Sequence, residues 1–132
     1  MINLNDARQV LAAAQAEAER IDLAVNIAVV DAGGHLVAHI RMDGARIGAI
    51  QIAIDKAFTA RAFDMSTAEL AGYSQPGGPF FGIHSSHGGR VAVYAGGMPL
   101  LRDGMIVGAI GVSGGSGEQD ETIARAGVAA LH

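Results

Sequence analysis

Val91-Ala92-Val93-Tyr94-Ala95-Gly96-Gly97-Met98-Pro99-Leu100-Leu101-Arg102-Asp103-Gly104-Met105-Ile106-Val107-Gly108-Ala109-Ile110-Gly111-Val112-Ser113 is the stretch on which the fold turns. Apolar runs alternate here with the turn signals Gly96-Gly97 and Arg102-Asp103-Gly104. They read as three strands, Val91 to Tyr94, Met98 to Leu101 and Met105 to Ser113, joined as an antiparallel meander. Gly108 and Gly111 fall inside the last strand, where glycine marks the close approach of another backbone or a ligand. Beyond it, Gly111 to Gly117 leads into a helix over about Glu118 to Leu131, and Ser116 with Gln119 has the spacing of a capping box.

Upstream of the meander, Tyr73 to Arg90 carries Pro76, Pro79, five glycines, His84 and His87, and reads as a long loop. Loops of this length inside compact domains are usually functional. A short helix around Thr67 to Gly72 precedes it. Arg46 to Phe63 reads as a helix that is apolar around most of its circumference, which predicts burial against both the sheet and another subunit. Ala24 to Asp31 and His35 to Met42 read as a hairpin turning at Ala32-Gly33-Gly34, with Asp31 as a turn residue. On its second strand the alternation places Leu36, Ala38, Ile40 and Met42 on one face and His35, Val37, His39 and Arg41 on the other. The first helix shows a stripe of Leu4, Ala7, Leu11, Ala14, Ala18 and Ile21, with Asp6 in its first turn. The order α-β-β-α-β-β-β-α predicts an α+β domain over 1–132, a five-stranded antiparallel sheet flanked by helices.

Composition narrows the function classes. The 132 residues are 50% hydrophobic and only 17% charged, so apolar surface is expected in a subunit interface. A formal charge of −4 argues against a nucleic-acid partner. The absence of cysteine excludes disulfides, thiolate catalysis and cysteine-ligated metals. No apolar run is long enough to span a membrane, and Met1 to Asp6 has neither a basic start nor an apolar core. A cytoplasmic protein without a signal peptide is therefore expected.

Several residues are candidates for chemistry. Lys56 lies beside Ala49, Ala53 and Ala60 on the apolar side of its helix, an unusual place for an unpaired lysine. It reads either as a ligand-binding or low-pKa amine, or as half of a buried ion pair. Arg41 at the end of a strand has the chemistry to clamp a carboxylate, whereas Asp43 reads first as the cap of the second helix. The glycine run at Ser113 and Gly114 offers backbone amides, yet Glu118, Asp120 and Glu121 crowd the helix start that follows and repel an anion there. The run has no P-loop lysine. His84 and His87 are too few for a zinc site, although one histidine suffices as an axial haem ligand. No metal site is predicted.

Taken together, Val30-Asp31-Ala32-Gly33-Gly34, Arg41-Met42-Asp43-Gly44-Ala45, Ala53 with Lys56-Ala57, Gly96-Gly97-Met98-Pro99, and Gly108 to Gly115 followed by Gln119-Asp120 resemble the GlcG/HbpS-like family, which includes the C-terminal domain of PduO-type proteins. The likeness runs over nearly the whole chain. It implies a profilin-like fold and assembly into dimers or larger oligomers, often octamers. It also implies small-molecule binding, with haem or a related tetrapyrrole the best-attested ligand, but it transfers no axial ligand to any histidine here.

Two readings of function follow. In the first, an oligomer holds a tetrapyrrole in a groove lined by Tyr73 to Arg90, with His84 or His87 as ligand. In the second, a small catabolic enzyme or accessory protein acts on a carbonyl- or imine-bearing carboxylic acid. There Lys56 and Arg41 hold the acid group, Asp120 or Asp43 transfers a proton, and the backbone around Gly96, Gly97, Ser113 and Gly114 lines the pocket. Catalysis is left open.

Overall fold

The computed structural model describes residues 1–132. Four helices, α1 (Leu4–Arg20), α2 (Gly48–Phe63), α3 (Thr67–Tyr73) and α4 (Gly117–Ala129), accompany four strands, β1 (Asn26–Asp31), β2 (Leu36–Arg41), β3 (Gly97–Arg102) and β4 (Met105–Ser113). The strands form one antiparallel sheet in the order β2-β1-β4-β3, so the two hairpins meet along the central β1–β4 pair. Helices α1 and α4 cover one face and α2 the other.

The sheet has four strands, not the five expected. Val91 to Tyr94 is not a strand, because its backbone is held by a side chain instead of a ladder. The Thr59 hydroxyl, at the buried face of α2, accepts from Ala92 N at 2.9 Å and donates to the Arg90 carbonyl at 3.3 Å. Val91 and Ala92 are consequently buried as part of a connector running under α2.

Each helix starts or stops for a local reason. Asn3 and Asp6 form a reciprocal capping box at α1, and Ser116 with Gln119 forms another at α4. Ser66 caps α3. Helix α2 differs: its N-cap position is Ile47, with no side-chain cap and no acidic residue in the first turn. Asp43 therefore does not cap this helix, contrary to expectation, since the exposed turn Asp43-Gly44 and Ala45-Arg46 intervene.

The two faces are packed differently. Ile27, Val29, Ile110 and Val112 meet Val10, Ala14, Leu11 and Ile123 in the larger core. On the opposite face Ala28, Val30 and Ala109 meet Ala53, Ala57 and Ala60 of α2. Small side chains bring α2 unusually near the sheet. Gly111 has no room for a Cβ, which would overlap the Ala53 carbonyl, and its cross-strand partner Gly97 lies against the Lys56 carbonyl in the same way. The glycines inside the strands thus mark backbone approach.

A bulge at Val29/Val30 alters the face assignment of β2. Leu36 pairs with Val30 and Ala38 with Val29, leaving Val37 as the extra residue. Val37 accordingly packs with Ala38 and Ile40 on the larger core, while Leu36 is exposed on the α2 side. His39 and Arg41 lie on the α2 side, opposite Ala28 and Asn26. Asp31 is the turn residue expected, its Oδ1 accepting from Gly33 N at 2.9 Å and His35 N at 3.0 Å.

Candidate functional site

Lys56 and Asp120 meet inside the protein. The lysine projects from the sheet-facing side of α2 and the aspartate from the first turn of α4, each side chain 4% exposed. Nζ lies 3.1 Å from Asp120 Oδ2 and donates to the Val112 carbonyl at 2.8 Å, with the Tyr94 ring 5.4 Å away. Asp120 Oδ1 accepts from Gly115 N at 2.8 Å. Burial lowers the Lys56 ammonium below its ordinary value, and Asp120 opposes that shift. Gly96 closes the group: at φ +127° it leaves space that a Cβ would take from Nζ, 2.8 Å distant. Gly97 N donates to Thr67 Oγ1 at 2.8 Å. The Gly96-Gly97 turn and Asp120 are therefore brought to Lys56, but as a satisfied internal knot joining α2, β4 and α4.

Ser113 and Gly114 adjoin this knot without joining it, lying between Val112 and Gly115, which bond to Lys56 and Asp120. With Arg46, Gly48, Ala49, Ile52 and Gly115 they line an open cleft of about 360 Å³ between the start of α2 and the end of β4. Ser113 pairs with Asn26, whose amide donates to the Arg46 carbonyl at 3.1 Å, so its side chain faces the first turn of α2. The sequence pattern does not single out Arg46, since a basic residue at the start of an apolar helix is commonplace. The signal in the sequence is a cation beside a helix start with no acid in its first turn; that the start is also uncapped appears only in the structure.

Arg41 and Asp43 share a different shallow cleft with Gln15, Glu19 and Met42. Lys56 contributes nothing to it. His39, a partnered residue the sequence does not reveal, has Nε2 3.1 Å from the Asn26 side-chain Oδ1. Burial, with Arg41 adding to it, lowers its pKa from the ordinary 6.5.

His84 and His87 stand in two short 3-10 turns, Ile83–Ser85 and His87–Gly89, within the long connection. Both are exposed. His87 is engaged: Nδ1 lies 3.0 Å from Ser86 Oγ and the ring rests edge-on against Phe58 and Phe63. His84 lies edge-on to the Phe81 ring, at 5.8 Å between centroids, and stands beside the exposed Tyr73, Phe80 and Phe81. Tyr73 and Phe80 pack with their rings tilted by 58°, 5.5 Å between centroids.

With this geometry in view, comparison with known proteins decides the family. Residues 2–129 match the family described as haem degrading protein HbpS-like. The chain belongs to the GlcG/HbpS-like family. Protein GlcG of Escherichia coli (strain K12) is 38% identical over 115 residues, 81% of this chain and 77% of that protein. The corrinoid adenosyltransferase PduO of Salmonella typhimurium is 37% identical over 131 residues, but these are 99% of this chain and only 39% of PduO. Among solved structures of GlcG/HbpS-like proteins, that of a PduOC:heme complex superimposes with a TM-score of 0.94 at 37% identity, covering 99% of this chain and 95% of that one. The α+β architecture is shared with that solved structure, and no helix of this chain is long and apolar enough to cross a membrane.

Proposed function

We propose that this GlcG/HbpS-like chain is a small-molecule-binding protein whose ligand is haem or a related tetrapyrrole, held in an assembly of subunits. The observation that carries the reading is the patch around His84. Tyr73, Phe80 and Phe81 offer exposed apolar surface for a planar macrocycle, and the imidazole beside them has no hydrogen-bond partner, so either nitrogen is free to ligate iron. The donor set therefore fits the group. Haem would supply an iron centre and a porphyrin plane; the protein would supply one imidazole and the aromatic walls. The solved PduOC:heme complex is consistent with this ligand class.

His84 is the better ligand of the two loop histidines, because His87 is packed against two phenylalanines and tied to Ser86. Action on a carboxylic acid through Lys56 and Arg41 receives less support. Lys56 is committed to Asp120 and Val112, and Arg41 opens onto a separate cleft with Asp43. Addition of haem to the purified protein is expected to sharpen the Soret band and to saturate at a fixed stoichiometry. A spectrum that stays that of free haem throughout the titration overturns the proposal.

A further inference from the structure

We infer that the cleft between the start of α2 and the end of β4 is a binding site for the carboxylate of a small organic acid. Four groups line it without partners inside the protein. Arg46 is exposed and its guanidinium makes no ion pair or hydrogen bond. Ser113 is only 7% exposed, yet its hydroxyl bonds to nothing and is not sealed from the cleft. The backbone N–H groups of Gly48 and Gly114 are likewise unpaired. A hydroxyl with no protein partner is completed by something in the cleft it opens onto, water or a ligand.

Charge decides what that something is. Helix α2 runs 16 residues from an N-terminus with no side-chain cap and no acid in its first turn, so its positive end is left uncompensated. Helix α4 starts nearby but is closed to anions, being capped by Ser116 and Gln119 and carrying Glu118 and Asp120 in its first turn. The site therefore favours an anion at α2 alone. One guanidinium fork matches the two oxygens of a carboxylate, leaving the hydroxyl and glycine amides as further donors. Ala49 and Ile52 supply an apolar wall for a short carbon chain, and a volume of about 360 Å³ admits a small acid.

This site is separate from the His84 patch and does not rest on tetrapyrrole binding. Saturation-transfer NMR with acetate, propionate and lactate, using the intact protein, tests it. The acids are expected to give a saturable signal and to displace one another. Arg46→Gln, an exposed position, is expected to weaken them about tenfold or more, and Ser113→Ala about threefold. No saturable transfer, or affinities unchanged in Arg46→Gln, overturns the inference. Displacement by inorganic phosphate more effective than by any of the acids overturns the assigned ligand class. None of the probes contains a porphyrin, so failure here leaves haem uptake unaffected and failure of haem uptake leaves this site in place.

Discussion

Lys56 holds its ammonium 3.1 Å from Asp120 and 2.8 Å from the Val112 carbonyl, with almost no access to water. Removing one member of such a pair strands the other charge in a poor solvent. Lys56→Met is expected to destabilise the fold by about 3 kcal/mol or more, and Lys56→Met with Asp120→Asn to recover a substantial part of that loss; urea denaturation of both variants checks it. A single variant as stable as the parent would show that the pair contributes nothing. His39 makes a pH prediction of definite sign. Its folded pKa lies below the unfolded 6.5, so as pH falls the unfolded chain takes up the proton first. Stability is therefore expected to drop as pH falls from about 6.5 towards the folded pKa, and to level off below it. His39→Gln should flatten that part of the stability profile.

At the scale of elements, the contact between α2 and the sheet is set by Gly97, Gly111 and the alanines above them. Gly111→Ala would force its Cβ into the Ala53 carbonyl and lift the helix, with an expected loss of about 3 kcal/mol in thermal or urea unfolding. A neutral substitution would show that the helix sits further from the sheet. The helices were legible in the sequence because their stripes and capping residues are local signals; the Ser116 and Gln119 box forms as its spacing predicts. What local pattern does not carry is the partner of a backbone. Val91 to Tyr94 has strand-like composition, but whether it joins a ladder depends on Thr59, a residue of a different element. The bulge at Val29/Val30 is equally silent in composition and exchanges the environments of Leu36 and Val37. The same limit applies to the site. Lys56 stood out as a lysine on an apolar face, with a buried ion pair among its readings, but its spatial partner and the gathering of Arg46 with Ser113 arise only when α2 meets β4.

For the whole molecule, the exposed Ile47, Tyr73, Phe80 and Phe81 leave apolar surface that the proposed ligand and assembly of subunits would cover together. Light scattering is expected to give a mass that is a multiple of 13.4 kDa, and a species of 13.4 kDa alone would contradict assembly. The proposed binding of a tetrapyrrole through His84 is read from the absorption spectrum of the ferric haem complex. The parent protein and His87→Ala are expected to share one sharp Soret band at saturation, while His84→Ala loses or shifts it. A spectrum unchanged in His84→Ala, or no band distinct from free haem in the parent, would contradict the account.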